Sequence, residues 1–149
     1  ETADKKYMIE VKAANQTDNE DVQEKAKAAI NEFENGQDFV YIHVEAPDEC
    51  GHRHEIENKS KSIGLIDKYI LGPVTDYLSK TGERFKVLVT PDHATPLSLK
   101  THTNDPVPFF IYDSEKVCDG VEHFNERTAK STGYFIDKGY TLMEEFIDK

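Results

Sequence analysis

An α/β fold with a mostly parallel sheet flanked by helices is what this sequence predicts, and three observations predict it. Two apolar, β-branched and aromatic runs, residues 39–44 (Phe-Val-Tyr-Ile-His-Val) and 85–90 (Phe-Lys-Val-Leu-Val-Thr), read as buried strands. Each breaks off close to a Pro-Asp step. A long stretch of helical apolar spacing separates the two runs, and a further strand-helix pair precedes the first. Strands that alternate with helices in this way form right-handed β-α-β crossovers, and therefore parallel sheets.

The elements follow in order. Tyr7-Met-Ile-Glu-Val11 reads as the first strand, beginning soon after Glu1 and without an initiator methionine, as a fragment of a longer chain would. Thr17-Asp-Asn-Glu20 has the pattern of a capping box, in which a hydroxyl and a carboxylate satisfy the first amides of a helix. Val22, Ala26, Ala29, Ile30 and Phe33 then recur at helical spacing, and Asn35-Gly36 ends the helix. The acidic residues from Asp18 to Glu24 read as its solvated face, favoured near the amino-terminal end of the helix dipole. After the strand at 39–44, residues 54–78 are rich in helix formers, with Ile56, Ile63, Ile66, Ile70, Val74 and Leu78 near one face. Gly72-Pro73 interrupts them, so a kink or two successive helices is expected. Thr81-Gly82 closes that segment, and the strand at 85–90 completes a second β-α-β unit. Val107-Pro-Phe-Phe-Ile-Tyr112 is a third strand, with Pro108 at its start or on an edge. Asp119-Gly120 reads as a turn. A short helix, a connector and a terminal helix from near Thr141 follow.

At 149 residues this is one domain's worth of chain. Charged residues are 32% and hydrophobic ones 37%, with apolar runs distinct enough to form a core, so disorder is excluded. The net charge of −11 argues against nucleic acid or an anionic membrane as partner, since both would be repelled. No apolar segment has membrane-spanning length and no signal peptide precedes the first strand, so the expected compartment is the cytoplasm. Cys50 and Cys118 form no pattern, and a reducing compartment leaves both as thiols. Cys50 reads as a small buried space-filler rather than a ligand.

The chemistry gathers at the carboxyl ends of the two strands, the edge where open α/β sheets bind ligands. The first strand end supplies Asp48 and His52; the second supplies Asp92 and His93, followed by His102 in Thr101-His102-Thr103. Oxygen and nitrogen donors of this kind suit Mn2+, Zn2+ or Mg2+. Five donors exceed what one four-coordinate ion can use while it also holds a substrate, so two ions are inferred. Paired ions commonly clamp the oxygens of a transferring phosphoryl group. Taken alone, Asp48 with His52 also reads as a helix-start aspartate beside a surface histidine. Asp92 and His93, neighbours in an extended segment, face one ion only if the backbone turns there, which Pro91 and Pro96 favour. His43, His54 and Glu45 read as structural or as groups that orient a ligand. Lys59 and Arg53 could reach phosphate, although a solvated helix face accounts for them equally.

In His43-Val-Glu-Ala-Pro-Asp-Glu-Cys-Gly-His52, Thr90-Pro-Asp-His-Ala-Thr-Pro96 and Thr101-His-Thr-Asn-Asp-Pro-Val-Pro-Phe109, in that order, the chain resembles the carboxyl-terminal portion of the cofactor-independent phosphoglycerate mutases. The likeness is to their archaeal-type branch, within the alkaline-phosphatase-like metalloenzyme superfamily, and it spans most of the chain from about Asp38. It implies that residues 1–149 form one α/β metalloenzyme domain, part of an alkaline-phosphatase-like core. Asp48, His52 and His102 match the ligands of one ion; Asp92 and His93 match half the ligands of the other. It implies two divalent cations, Mn2+ first, with Zn2+ or Mg2+ as alternatives. The implied activity interconverts 3-phosphoglycerate and 2-phosphoglycerate through a phosphoserine. The nucleophilic serine and a further aspartate ligand match nothing here, so no catalytic nucleophile is assigned, the missing amino-terminal portion is an implied partner, and the fragment alone is expected to be inactive. Lys12-Ala-Ala-Asn15 departs from the small, glycine-rich stretch expected after the first strand. Two other readings stay open: a phosphatase or other phosphotransferase of the same superfamily, and a non-catalytic domain with structural metal sites.

Overall fold

The structure, a computed structural model, describes residues 7–9, 19–116 and 120–148. The expected capping box at Thr17, the loop at Lys12 and the turn at Asp119 lie outside the described residues, as does Cys118. The chain forms two compact units, Glu1–Thr81 with Thr95–Thr101, and Gly82–Ala94 with His102–Lys149.

The first unit is an α/β layer. Strand β1 (Tyr7–Ile9) pairs in parallel with β2 (Val40–Ile42), Tyr7 opposite Val40 and Ile9 opposite Ile42, across helix α1 (Asn19–Glu34). This is the expected first β-α-β unit. The expected stripe on α1 is buried: Val22, Ala26 and Ala29 are shut off from solvent, and Ile30 and Phe33 pack at the edge of the same core. Helix α1 ends where Gly36 takes φ 84°, a left-handed conformation that glycine adopts without a Cβ clash.

Beyond β2 the chain turns at once into helix α2 (Ala46–His52), with Pro47 in its first turn, where a missing amide costs nothing. Helix α3 (Ile56–Ile66) runs through a π-helical turn (Asp67–Leu71) into helix α4 (Gly72–Thr81). The interruption expected at Gly72-Pro73 is this turn: Pro73 has no amide to give the preceding turn, and the Gly72 amide instead reaches the Asp67 carbonyl, five residues back. The apolar stripe needs correction. Ile70 and Val74 are buried, but Ile56 and Ile63 are exposed, and Ser62 and Leu65 occupy the inner face. Ile56 and Ile63 lie one residue, about 100° of helix rotation, away from the inner line that includes Lys59, Ser62 and Ile66. Val22, Leu65 and Ile70 form one core cluster, and Ala26, Ala29 and Val74 the other.

In the second unit, β3 (Lys86–Val89) pairs with β4 (Phe110–Asp113) antiparallel, Val89 opposite Phe110 and Lys86 opposite Asp113. The α/β class holds; among the described residues β3 is laddered to β4 and not to β2, so the second parallel pairing expected across residues 54–78 is not among the ladders. No helix lies between Val89 and Phe110, and a parallel return needs a crossover that this loop does not supply. Pro108 stands just ahead of β4, as expected. Helix α5 (Glu126–Ser131) is capped by the Asn125 side chain, which accepts from the Thr128 amide at 3.0 Å. A 3-10 turn (Gly139–Thr141) leads into helix α6 (Leu142–Asp148), close to the expected start at Thr141. Lys86 Nζ donates to the Phe146 and Ile147 carbonyls, meeting the negative end of that helix. Among the described residues, no helix is long and apolar enough to cross a membrane.

Candidate metal centre

In the first unit, Asp48 and His52 sit in the first and last turns of α2. Their i, i+4 spacing puts them on one helix face, with Asp48 Oδ2 and His52 Nε2 3.3 Å apart. Neither position depends on a flexible loop. Ala46, Cys50 and Gly51 of the same helix are buried. Burial, reinforced by the Glu55 carboxylate, raises the Cys50 thiol above its ordinary pKa, in keeping with an inert space-filler.

The segment Thr95–Thr101 of the same unit holds both donors from outside. The Thr95 hydroxyl donates to Asp48 Oδ1, and His52 Nδ1 lies 3.0 Å from the Lys100 carbonyl. A carbonyl only accepts, so this nitrogen carries the proton in the neutral ring, and Nε2, on the side of Asp48, carries the lone pair. Lys59 Nζ donates to the Thr95 carbonyl at 2.8 Å, which ties α3 to the same segment. Gly51 lets them meet, because a Cβ there would stand 2.8 Å from both Thr95 Cγ2 and the Thr95 carbonyl oxygen. His54, at φ 58°, places Nδ1 2.6 Å from the Leu97 carbonyl. Arg53 is engaged by Glu49 and Glu55, and the Glu55 carboxyl is pulled below its ordinary range, first by Arg53 and then by Asn58. With Lys59 on a carbonyl and Arg53 between two carboxylates, both cations serve this local scaffold.

The second unit carries the remaining donors. Asp92 Oδ1 accepts the His93 amide at 3.0 Å, which folds the carboxylate back so that Oδ2 lies 3.1 Å from His93 Nε2. The backbone therefore turns at this step, the condition needed for two adjacent side chains to converge. The His93 and His102 rings are stacked, with centroids 3.6 Å apart and planes 30° off parallel. An isolated antiparallel bridge between Ala94 and Thr103 holds the two histidine segments side by side. Thr103 Oγ1 donates to Asp105 at 2.7 Å and so steadies the segment after His102.

Every donor expected from the sequence thus falls into one of two local groups, Asp48 with His52, and Asp92 and His93 with His102. The residues that hold the first group, Thr95, Lys59, Gly51 and the Lys100 carbonyl, were given no such role by the sequence. Two signals were present: Gly51 stands directly before His52, and Thr95 lies two residues after His93, inside a quoted motif.

Helices over a short parallel sheet, with carboxylate and imidazole donors at the strand and helix ends, define the class. The chain belongs to the Metalloenzyme superfamily, whose profile matches residues 3–147. Its relatives include the probable 2,3-bisphosphoglycerate-independent phosphoglycerate mutase of Geobacter sulfurreducens, 43% identical over 126 residues that cover 84% of this chain and 31% of that protein. The 2,3-bisphosphoglycerate-independent phosphoglycerate mutase of Methanosarcina mazei is 43% identical over 137 residues, 91% of this chain and 34% of that one. Among solved structures, the PH0037 protein from Pyrococcus horikoshii superposes with a TM-score of 0.70 at 27% identity, over 85% of this chain and 37% of its own. The chain therefore spans about a third of the length of the relatives it matches.

Proposed function

We propose that residues 1–149 are one α/β metalloenzyme domain from the carboxyl-terminal part of a cofactor-independent phosphoglycerate mutase, the isomerase of glycolysis that interconverts 3- and 2-phosphoglycerate in the cytoplasm. Asp48, His52 and His102 hold one divalent cation, and Asp92 and His93 hold part of the coordination sphere of a second, with Mn2+ preferred. The nucleophilic serine and the remaining ligands belong to the rest of the protein, so this fragment does not turn over alone.

One observation carries the reading. Two donors each about 2.1 Å from one ion stand about 3.0 Å apart at octahedral right angles and about 3.4 Å apart at the tetrahedral angle. The two Oδ2–Nε2 pairs, at 3.3 and 3.1 Å, fall between these limits. Both are longer than the ~2.7–2.9 Å of a good charge-assisted hydrogen bond, which is what the same residues would favour without an ion. Bound cations supply positive charge to a protein of net charge −11 that must accept a phosphate and a carboxylate.

The test uses the full-length protein with Mn2+ and 3-phosphoglycerate. Formation of 2-phosphoglycerate, lost in Asp48→Asn and His93→Ala, supports the assignment. Release of free phosphate in its place would make the protein a phosphatase of the same superfamily.

A further inference from the structure

We infer that Thr95 is a positioning residue for the first cation site, and that Lys59 and Gly51 hold it in place. The inference rests on the proposed role of Asp48 and His52 as ligands, and concerns what fixes them.

Thr95 is buried to 5% accessibility, although its side chain is polar. Its hydroxyl donates to Asp48 Oδ1, which leaves Oδ2 as the oxygen turned toward His52 Nε2. An unsupported carboxylate rotates about its last torsion, and each rotation exchanges its oxygens or turns both away from a neighbouring donor. A fixed hydroxyl on one oxygen removes that freedom before any ion arrives. The Lys100 carbonyl does the same for His52 by fixing the tautomer and the ring plane. Both supports come from one short segment, so its placement sets both donors together.

That placement has two independent sources. Lys59 donates to the Thr95 carbonyl from the inner face of α3. Gly51, buried on α2, allows the segment to approach closer than any side chain would permit. An ammonium pinned on a backbone carbonyl is a clamp.

The experiment compares Thr95→Val, which keeps the shape and loses the hydroxyl, with Thr95→Ser, which keeps the hydroxyl, in the full-length protein. Metal is measured directly, by Mn2+ stoichiometry and by competition with a chelator. Thr95→Val is expected to bind one of its two ions about 10–100-fold more weakly, as loss of an outer-shell partner typically does, and Thr95→Ser to stay near the parent. A role in folding alone would not produce this loss of one ion with the other retained. Should Thr95→Val fail to fold, Thr95→Ala against Thr95→Ser poses the same question without a misplaced methyl. Equal ion affinity in folded hydroxyl-free and hydroxyl-bearing variants overturns the inference. Undiminished binding in Asp48→Ala overturns the ligand assignment beneath it, so the two failures are told apart.

Discussion

The two units hold their donors by different means. In the first, Asp48 and His52 ride on a helix backed by a core: among the described residues, every buried hydrophobic side chain other than Pro108 belongs to this unit, from Val22 through Val74. In the second, Asp92, His93 and His102 stand on loops beside a two-strand ladder, and among the described residues there Asp113 is the one buried charge. That unit is tied by polar contacts: the Arg84 fork on Asp113, the Lys86 ammonium on the carbonyls of α6, and the Asn125 cap. Its aromatic side chains pair near the surface, Phe110 edge-on to Phe124 and Phe109 against Tyr134, while Phe135 and Tyr140 are largely exposed. The lesson is that the unit carrying one donor pair is backed by apolar packing and the unit carrying the other group by directional bonds, and the two should fail under different conditions.

The largest expected effect tests the apolar side. Ile70→Ala removes a buried side chain from the first unit's core and is expected to cost about 2–5 kcal/mol, while Phe135→Ala, at an exposed position, costs less than about 0.5 kcal/mol. Urea denaturation of each variant measures both. Comparable losses would break the contrast and would show that Phe135 is covered in the whole protein.

Acid tests the polar side. Asp113 has its carboxyl held well below its ordinary value of 3.8, chiefly by the Arg84 guanidinium, then by the Glu115 amide and Lys116. Because the folded value is depressed, this contribution to stability is complete above about pH 4, where the unfolded carboxyl is ionised, and is lost as pH falls toward the lower folded value. The parent is therefore expected to lose its advantage over Asp113→Asn as pH drops below 4, with the two denaturation midpoints converging. A gap that persists unchanged into acid would mean that the ion pair does not hold β3 to β4. Next in size is Asn125→Ala, which removes the cap of α5 and should cost about 1 kcal/mol. Helix α2, which has no side-chain cap, offers no such handle.

The same division explains what could be read in the sequence. The stripe on α1 was legible because Val22, Ala26 and Ala29 meet a core, and apolar periodicity records burial. The ligand candidates were legible because a carboxylate or imidazole just past an apolar run is unusual, and three such motifs occur in order. Helix α2 was hidden, since Pro47 and Gly51 in seven residues look like loop; Pro47 is tolerated in a first turn, and Gly51 is there to let Thr95 approach. The antiparallel partner of β3 was hidden as well, because strand direction follows from the path of the loop between Val89 and Phe110, on which period-two alternation is silent. Thr95 and the Lys100 carbonyl act from 47 and 48 residues beyond the groups they hold, a separation that no local pattern encodes.

The smallest expected effect sharpens the first unit's side of the comparison by applying one substitution at two glycines. Gly64 lies in the exposed interior of α3, and a Cβ there meets nothing within 4 Å. Gly64→Ala is therefore expected to raise stability by about 0.5–1 kcal/mol, because alanine gives up less backbone freedom on entering a helix. Gly51, thirteen residues earlier, is also helical, but its Cβ would stand 2.8 Å from Thr95 and 2.9 Å from Lys59 Nζ. Helix propensity favours alanine at both positions, so an opposite sign at Gly51 isolates the cost of pushing the Thr95 segment away from α2. Thermal denaturation of the two variants decides it: Gly64→Ala up and Gly51→Ala down places the constraint at the Asp48 and His52 helix. A gain at both positions would mean that this helix tolerates the displacement, and the close approach of Thr95 would lose its meaning.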